Sequence, residues 1–351
     1  MNIKNEKKAT AKAIAEELNL SLTTVDRALN NRGNVKKETY NLIMDKAKEL
    51  NYTPNKLASF LSRKQQFNIA VIYPEYPRYF WGQIEAGIRS AYHELSDYGL
   101  NIETYHYSDR DLLKSAEMVR EIIQSQKYDG IALTAGEDVF IDLIDEAMDS
   151  GIQVCTFNND SPASQRLAYI GSDYRASGRL AAELISKLVG MSGKVAIIKD
   201  GETSYQILEK VAGFREVVKE YPNIQLVGPV RMDRDKNSFQ SLERIKETLT
   251  SVQGIYVANA ELANVAKYME QLNLGNMILI GHDLNQDIYQ YLQKNIISLT
   301  ITQDPVSQGY LTVKKLFNQL SKQEEIGNQD VITKLGIISK ENAKFYIEDL
   351  V

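Results

Sequence analysis

The 351-residue sequence has few of the residues that form disulfides, bind metals or span membranes. Its single cysteine, Cys155, excludes an intramolecular disulfide and a cysteine-based zinc finger. Its three histidines are scattered singly, and we expect neither a metal site nor a cofactor. No apolar run reaches the roughly 18 residues of a membrane span, and no apolar segment follows the lysine-containing N-terminus. We therefore expect a cytoplasmic protein without a signal peptide or membrane contact.

Motifs of the common enzyme classes are missing as well. The chain has no GxSxG elbow, no Walker A loop, no HExxH and no glycine-rich dinucleotide fingerprint after its first strand-like run. Asp283 and His282 are adjacent, but no third partner for acid–base chemistry is apparent. Cys155 lies inside a strand-like apolar run, which is typical of a core residue. The sequence therefore predicts no catalytic residues and no enzyme activity.

The net charge of −5 conceals two parts of opposite sign. Residues 1–66 hold 13 Lys plus Arg against 7 Asp plus Glu, whereas the rest of the chain holds 28 against 39. A basic head on an acidic body indicates that the head contacts a polyanion. The same charge would also keep a short helical domain soluble, so the residue pattern has to decide.

That pattern predicts an all-α helix-turn-helix between residues 10 and 50. Thr10 and Ser21 are suited to cap a first and a second helix, and Asn19 tolerates the left-handed backbone of a tight turn. A third segment, ETYNLIMDKAKEL, repeats apolar residues at spacings of three and four. The second helix would enter a major groove while nearby lysines meet phosphates. The DNA-binding residues predicted in this head are Lys12, Ser21, Leu22, Thr23, Thr24, Arg27, Asn30 and Lys36.

The run from AIAEEL to FLSRK resembles, without gaps, the DNA-binding head of the lactose-repressor (LacI/GalR) family, most clearly at TVDRALN and NYTPNKLASFL. The resemblance implies that Leu22 and Thr23 read base edges and that Arg27 contacts both the backbone and the bases. Asp26 stands where the family usually has serine, and a carboxylate repels phosphate. The phosphate contact that the family makes at this position therefore does not carry over to Asp26. The operator sequence is not deducible.

The segment 54–66 follows the head as a candidate hinge. In the family that it resembles, this segment becomes helical when two protomers sit on DNA, and a leucine then wedges between base pairs in the minor groove. Ala58 and Leu61 match the positions of that hinge helix and are the remaining predicted DNA-binding residues. The alternative is that Leu61 is an ordinary linker residue that packs on the body.

Beyond Gln66, ten short β-rich runs alternate with amphipathic helical stretches. This alternation predicts parallel sheets with helices on both faces, and ten strands favour two α/β lobes with a cleft between them. Ligands bind at the carboxyl ends of such strands. Polar residues follow those ends, although turns also favour such residues. They are Asn158, Asn159, Asn259, Asp283 and Gln303.

From Asn68 to about Leu320 the body resembles the ribose-binding-protein type of periplasmic binding protein (type I), on landmarks such as IGSDYRASGRLAA and LIGHDLNQD. An Asp–Arg pair of sugar binders has become Asn158–Asn159, and Lys210 replaces an arginine. A sugar-like, polyhydroxylated ligand is therefore expected in place of ribose itself, and Lys210 would suit a sugar acid, a phosphate or a hydroxyl. The resemblance implies ligand contacts at Tyr79, Phe80, Asn158, Asn159, Lys210, Asn259, Asp283 and Gln303.

Together these features predict a homodimeric transcription regulator, most simply a repressor. It would bind double-stranded, pseudo-palindromic operator DNA and respond to a small carbohydrate-like effector. Two rivals remain: a ligand-independent architectural DNA-binding protein, and an exported solute-binding protein. The expected domains are a head (1–53), a hinge (54–66) and an effector domain (67–351) with lobe 1 at about 67–172 and 304–328 and lobe 2 at about 173–303 and 329–351.

Overall fold

A computed structural model describes residues 10–29, 33–50, 52, 65–108, 111–199, 204–232, 243, 246–274, 277–321 and 329–347. The chain divides into two units, Met1–Gln66 and Phe67–Val351. The first unit is helical, and the second contains both β-sheets.

The first unit contains helices α1 (Ala11–Glu17), α2 (Leu22–Leu29) and α3 (Lys37–Glu49). Thr10 Oγ1 accepts a hydrogen bond from the Ala13 amide at 3.1 Å, and Ser21 Oγ accepts one from the Thr24 amide at the same distance. Asn19 has a φ of 53° in the turn between the first two helices. The predicted caps and the predicted left-handed turn are thus confirmed.

One small hydrophobic core joins the three helices of this unit. Two apolar residues from each helix are buried in it, so each helix turns one stripe inward and leaves the opposite face to solvent. These residues are Ile14, Ala15, Val25, Ala28, Ile43 and Ala47.

The second unit holds two six-stranded sheets within its described residues, which confirms the predicted two α/β lobes. The first sheet has the order β11-β5-β4-β3-β1-β2, with strands β1 (Phe67–Pro74), β2 (Leu100–Tyr107), β3 (Gly130–Leu133), β4 (Gln153–Phe157), β5 (Ala168–Gly171) and β11 (Val331–Ile332). The second has the order β12-β10-β9-β8-β6-β7, with strands β6 (Gly193–Lys199), β7 (Ile224–Arg231), β8 (Gly254–Val257), β9 (Ile278–His282), β10 (Leu299–Thr302) and β12 (Gly336–Ile338).

Every strand pair is parallel except β10 with β12, which is antiparallel at one edge of the second sheet. Helices cover both faces of each sheet, as the alternation of strands and helices predicts. The described helices of this unit are α4 (Arg78–Leu95), α5 (Leu112–Gln124), α6 (Ile141–Asp149), α7 (Tyr174–Leu188), α8 (Tyr205–Val218), α9 (Leu262–Gln271), α10 (Gln286–Gln293), α11 (Pro305–Leu320) and α12 (Ala343–Ile347).

The last crossing between the lobes differs from the expected boundary. The sequence assigns all of 329–351 to lobe 2, yet β11 pairs with Ile170 and Gly171 of the first sheet. The chain therefore leaves lobe 1 only after Ile332. A two-residue strand is too short to show a periodicity, and its pairing depends on an edge formed about 160 residues earlier in the chain.

Close helix crossings, built on glycines, fix the helices that carry site residues. A Cβ placed at Gly178 of α7 would lie 1.9 Å from the Lys210 carbonyl oxygen of α8, and one at Gly213 would lie 2.0 Å from the Arg175 carbonyl oxygen. No larger residue fits at these two positions without moving α8.

Among the described residues, no helix combines the length and the apolar character that a membrane crossing requires.

Candidate functional site

A cleft between the two lobes is lined by the carboxyl ends of strands from both sheets. We call it the interlobe cleft. About 710 Å³ of empty space lies in it, counted out to its open mouth. The residues that line it are Pro74, Tyr76, Pro77, Phe80, Trp81, Tyr107, Thr134, Glu137, Asn158, Asn159, Ser204, Gln206, Ile207, Lys210, Asn259, Ala260, His282, Asp283 and Gln303.

Several buried polar atoms face this cleft without a hydrogen-bond partner among the described residues. Asn259, which is 3% exposed, leaves both its Nδ2 and its Oδ1 unpaired. Gln303 Oε1, Thr134 Oγ1 and Ser204 Oγ are unpaired as well. A buried polar group without a partner costs about 1–3 kcal/mol, and native proteins contain few of them. These atoms converge on one cleft, which therefore offers both hydrogen-bond donors and acceptors to a polar ligand.

Aromatic side chains form the lobe 1 wall of the cleft. Phe80 and Trp81 meet edge to face at 5.1 Å between ring centroids, and Trp81 also stacks on Tyr73 at 5.2 Å. Trp81 Nε1 donates to the Tyr76 carbonyl at 3.0 Å, so its ring orientation is fixed. This wall offers an apolar surface to the flat face of a ring.

Tyr79 does not line the cleft, in contrast to the sequence-based prediction. It lies in a separate depression beside Gln286 and Val306. The physical reason is helical phase: α4 begins at Arg78, and successive residues of a helix point about 100° apart. Since Phe80 and Trp81 point toward the cleft, Tyr79, which precedes them, points away from it.

Asn158 lies in the cleft in a left-handed conformation, with a φ of 59°. Its amide donates to the Ile170 carbonyl at 3.0 Å. Its carbonyl accepts from the Tyr169 hydroxyl at 2.8 Å and from the Tyr174 hydroxyl at 2.5 Å. Its side-chain Nδ2 donates to Gln308 Oε1 at 3.4 Å. The backbone at this strand end is therefore held on both sides, as an unusual conformation at a functional site requires.

Lobe 2 contributes two charged side chains to the cleft, in addition to Glu137 of lobe 1. Lys210 is 3% exposed, and its Nζ donates to the Ala258 carbonyl at 3.3 Å and lies 5.2 Å from the centre of the Tyr174 ring. Asp283 Oδ1 accepts from Gln303 Nε2 at 2.8 Å. Burial raises the pKa of the Asp283 carboxyl, and the Lys210 ammonium acts in the opposite direction. A buried cation and a carboxyl group thus share this side of the cleft.

His282 lies at the end of β9, next to Asp283, and is buried. Its Nε2 and the Tyr256 hydroxyl are hydrogen bonded at 2.7 Å. Burial, together with the nearby Lys210 ammonium, holds the pKa of His282 well below its ordinary range. The ring is therefore neutral at pH 7 and packed against a core tyrosine. Cys155 is likewise a core residue, since it is fully buried, and this burial raises the pKa of its thiol to about 12.

Asn159 is at the cleft but its side chain is engaged by the protein. Its Oδ1 accepts from the Gln206 amide and from the Asp160 amide, both at 3.2 Å. Since Gln206 belongs to lobe 2, the first of these bonds crosses between the lobes.

Of the eight residues that the sequence assigns to the ligand, seven line the cleft and Tyr79 does not. The contact of these residues with a ligand stays a prediction.

The cleft also contains residues outside that predicted set. Ser204 and Gln206 precede Lys210 at the start of α8, and Thr134 directly follows β3. The strand-end rule would have found Thr134, because the run GIALT ends on it. Ser204 gives no comparable signal, since serine before a helix is equally expected as a cap.

The helix-turn-helix exposes most of its predicted DNA-reading residues. Leu22 is 51% exposed, and Thr23, Arg27, Lys12 and Lys36 are also exposed. Thr24 differs, because it is half-buried and its hydroxyl is hydrogen bonded to Ser21 Oγ at 2.8 Å. The predicted contacts at Asn30, Ala58 and Leu61 lie outside the described residues.

Two family profiles match this chain. The profile described as periplasmic binding protein domain matches residues 69–324, and that of the bacterial regulatory proteins of the lacI family matches residues 10–55. The first match covers more than half of the chain, and the second covers the three described helices of the first unit.

Individual proteins are similar to the chain at moderate identity. The HTH-type transcriptional regulator DegA of Bacillus subtilis is 26% identical over 223 residues, which are 61% of this chain and 61% of DegA. The match therefore spans less than two thirds of DegA. The ribose operon repressor of Halalkalibacterium halodurans is 24% identical over 320 residues, 89% of this chain and 91% of that protein.

A solved structure resembles the two-lobed unit. A solute-binding protein of an ABC transporter from Burkholderia graminis C4D1M, in complex with D-arabinose, superposes with a TM-score of 0.73 at 25% identity. The match covers 81% of this chain and 98% of that protein. The chain therefore belongs to the periplasmic binding protein domain family over residues 69–324, and its helix-turn-helix at residues 10–55 matches the bacterial regulatory proteins of the lacI family.

Proposed function

We propose that the protein is a sequence-specific DNA-binding transcription regulator, whose operator affinity is set by a polyhydroxylated small molecule in the interlobe cleft. One observation carries the ligand half of this proposal: the unpaired, buried polar atoms of Asn259, Gln303, Thr134 and Ser204 all face this cleft. They comprise an amide donor, two amide acceptors and two hydroxyl groups. Sugar hydroxyls match such a set because each both donates and accepts.

The aromatic wall supports a cyclic ligand. The flat apolar face of a pyranose or furanose would pack on Phe80 or Trp81 while its hydroxyls reach the amides opposite. The solute-binding protein noted above was solved with D-arabinose, and the similar protein from Halalkalibacterium halodurans is a ribose operon repressor. The class of ligand proposed here is therefore a monosaccharide or a close derivative, bound without chemical conversion.

The first unit supports the DNA half of the proposal. Leu22, Thr23 and Arg27 share the exposed face of α2, and its capped N-terminus is the end that a recognition helix presents to base edges. We propose that two protomers place two such helices on a pseudo-palindromic operator in the cytoplasm, at the nucleoid. Ligand binding would change operator affinity through the segment 54–66, and a coupling of about 1–3 kcal/mol is sufficient.

Two binding experiments test this function. Operator DNA is first selected from a random pool with the full chain. Calorimetry then follows binding of pentoses, hexoses, polyols, sugar acids and sugar phosphates. At least one compound is expected to bind and to shift operator affinity by about 5- to 150-fold. A selected operator together with no binder across the panel would favour a ligand-independent architectural protein, and failure to select any DNA would contradict the DNA half.

A further inference from the structure

The first turn of helix α8 takes its hydrogen-bond partners from both lobes. The first four amide groups of any helix lack partners within the helix. In α8, the amides of Ile207 and Leu208 both donate to the Ser204 carbonyl at 3.1 Å. The two amides before them donate to lobe 1: Tyr205 to the Gly136 carbonyl at 3.2 Å, and Gln206 to Asn159 Oδ1 at 3.2 Å.

The residue that would ordinarily cap this helix does not do so. Ser204 occupies the N-cap position, but its side chain makes no capping hydrogen bond, and its buried Oγ is unpaired and faces the cleft. The hydrogen-bond acceptor that the Ser204 side chain does not provide therefore comes from Asn159 of the opposite lobe. In consequence the Ser204 hydroxyl stays available to a ligand.

Asn159 is held against its own lobe by a glycine. A Cβ at Gly136 would lie 1.8 Å from Asn159 Nδ2 and 2.2 Å from its Cγ, so no side chain fits there unless the amide moves away. The Ala135 amide also donates to the Asn159 carbonyl at 3.2 Å. The amide group of Asn159 is thus placed by lobe 1 at the point where α8 begins.

We propose that Asn159 is a positioning residue, which caps helix α8 across the cleft and thereby couples closure of the lobes to the placement of Ser204 and Lys210. This revises the expectation that Asn159 contacts the ligand. Opening the lobes removes two hydrogen-bond acceptors from α8, so the helix carrying both ligand-facing groups is fully capped only in the closed state. The effect on ligand affinity rests on the proposed function, whereas the cap itself does not.

The chain offers its own reporter of closure. Trp81 is its single tryptophan, it lines the cleft and it is 5% exposed. Acrylamide quenching of its fluorescence in the ligand-free full chain therefore measures how open the cleft is. Because loss of a side-chain cap shifts such an equilibrium about fivefold, Asn159→Ala should increase the ratio of open to closed molecules by about fivefold and raise the quenching constant. Asn159→Asp keeps the acceptor oxygen and should restore the wild-type value.

Asn285 provides a matched control. It caps α10 within lobe 2, where its Oδ1 accepts from the Ile288 amide at 2.8 Å, and it does not line the cleft. Asn285→Ala removes an equivalent cap that does not cross between the lobes. It should lower the free energy of unfolding about as much as Asn159→Ala and leave Trp81 quenching unchanged. Equal quenching in wild type and Asn159→Ala, or increased quenching in both alanine variants, would overturn the proposal.

A second variant tests the same loss of the cap in case Asn159→Ala does not fold. Gly136→Ala should displace the Asn159 amide and raise quenching in the same way. The double variant should show no larger increase than either single change, because both remove one interaction. Fully additive increases would show that the two residues act separately and would overturn the proposal. None of these measurements needs an effector, so their outcome is independent of whether the proposed function holds.

Discussion

At the scale of single residues, Asn259 shows how the cleft reserves hydrogen-bonding capacity. Its amide is buried and unpaired on both sides, an arrangement that costs stability unless a ligand completes it. Lys210 and the Asp283 carboxyl line the same cleft, and Asn158 is held in a left-handed conformation by two tyrosine hydroxyls. Several groups here are therefore arranged for binding at some cost to the free protein.

Replacing Asn259 should separate stability from binding. Asn259→Leu removes a buried, unpaired amide, so we expect the melting temperature of the free protein to stay constant or to rise by a few degrees. The rise in melting temperature caused by a bound sugar should disappear. Thermal denaturation with and without the ligand checks both effects.

Ser186 is the control for this substitution. It is a buried serine of α7 whose hydroxyl has no hydrogen-bond partner among the described residues, but it lies outside the cleft. Ser186→Ala should leave the ligand-induced shift intact. A destabilised free protein together with normal ligand binding in Asn259→Leu would contradict the role assigned to Asn259.

The raised pKa of Asp283 predicts that the free energy of unfolding depends on pH. Burial raises its pKa above the ordinary value of 3.8, so the native state holds this proton more tightly than the unfolded chain does. The contribution of Asp283 to the free energy of unfolding therefore decreases as the pH rises from 3.8 through the raised pKa. Asp283→Asn should be more stabilising at pH 8 than at pH 4, as measured by urea denaturation. An equal effect at both pH values would contradict the raised pKa.

At the scale of elements, α2 combines a buried stripe with an exposed reading face. Val25 and Ala28 point into the small core, while Leu22, Thr23 and Arg27 remain exposed. Ser21 closes the amino end of the helix through the Thr24 amide and hydroxyl. The side chains that would meet DNA are therefore not the ones that hold the fold.

Substitutions on α2 should follow this division. Arg27→Ala should weaken operator binding by about 10- to 100-fold without changing the melting temperature, because the side chain is exposed. Ser21→Ala should lower the free energy of unfolding of the first unit by about 1 kcal/mol. Fluorescence anisotropy with operator DNA and thermal denaturation give the two readouts.

Lys48 offers a control for the charge that Arg27→Ala removes. It is an exposed cation of α3 with no predicted DNA contact. Lys48→Ala should change operator affinity by no more than about twofold. If both variants weakened binding equally, general charge, and not a specific contact of α2, would explain the loss.

Elements were readable from the sequence where their pattern was long enough. All ten β-rich runs form strands, because continuous apolar residues flanked by turns are a local signal. The sequence does not predict β11 or β12, since two or three residues carry no period, and it misplaces Tyr79, since the exact start of α4 sets the direction of each side chain. The engagement of Asn159 could not be inferred, because its partner Gln206 is 47 residues away and belongs to the other lobe.

At the scale of the whole molecule, the two units separate the two proposed activities. The three-helix unit has its own buried core, and the two-lobed unit contains the complete cleft. Residues 67–351 expressed alone should therefore bind the sugar ligand with the affinity of the full chain and should not bind operator DNA. Calorimetry and anisotropy on the truncated chain check this, and loss of sugar binding on removing the head would contradict it.

We propose that the occupied cleft controls DNA binding. The most direct test is the operator affinity of the full chain with and without a saturating sugar ligand, measured for wild type and for Asn259→Leu at one salt concentration. We expect a shift of about 5- to 150-fold in wild type, and in Asn259→Leu an unchanged ligand-free affinity with no shift. A ligand that binds the cleft of the wild type without changing its operator affinity would contradict control of DNA binding by the cleft.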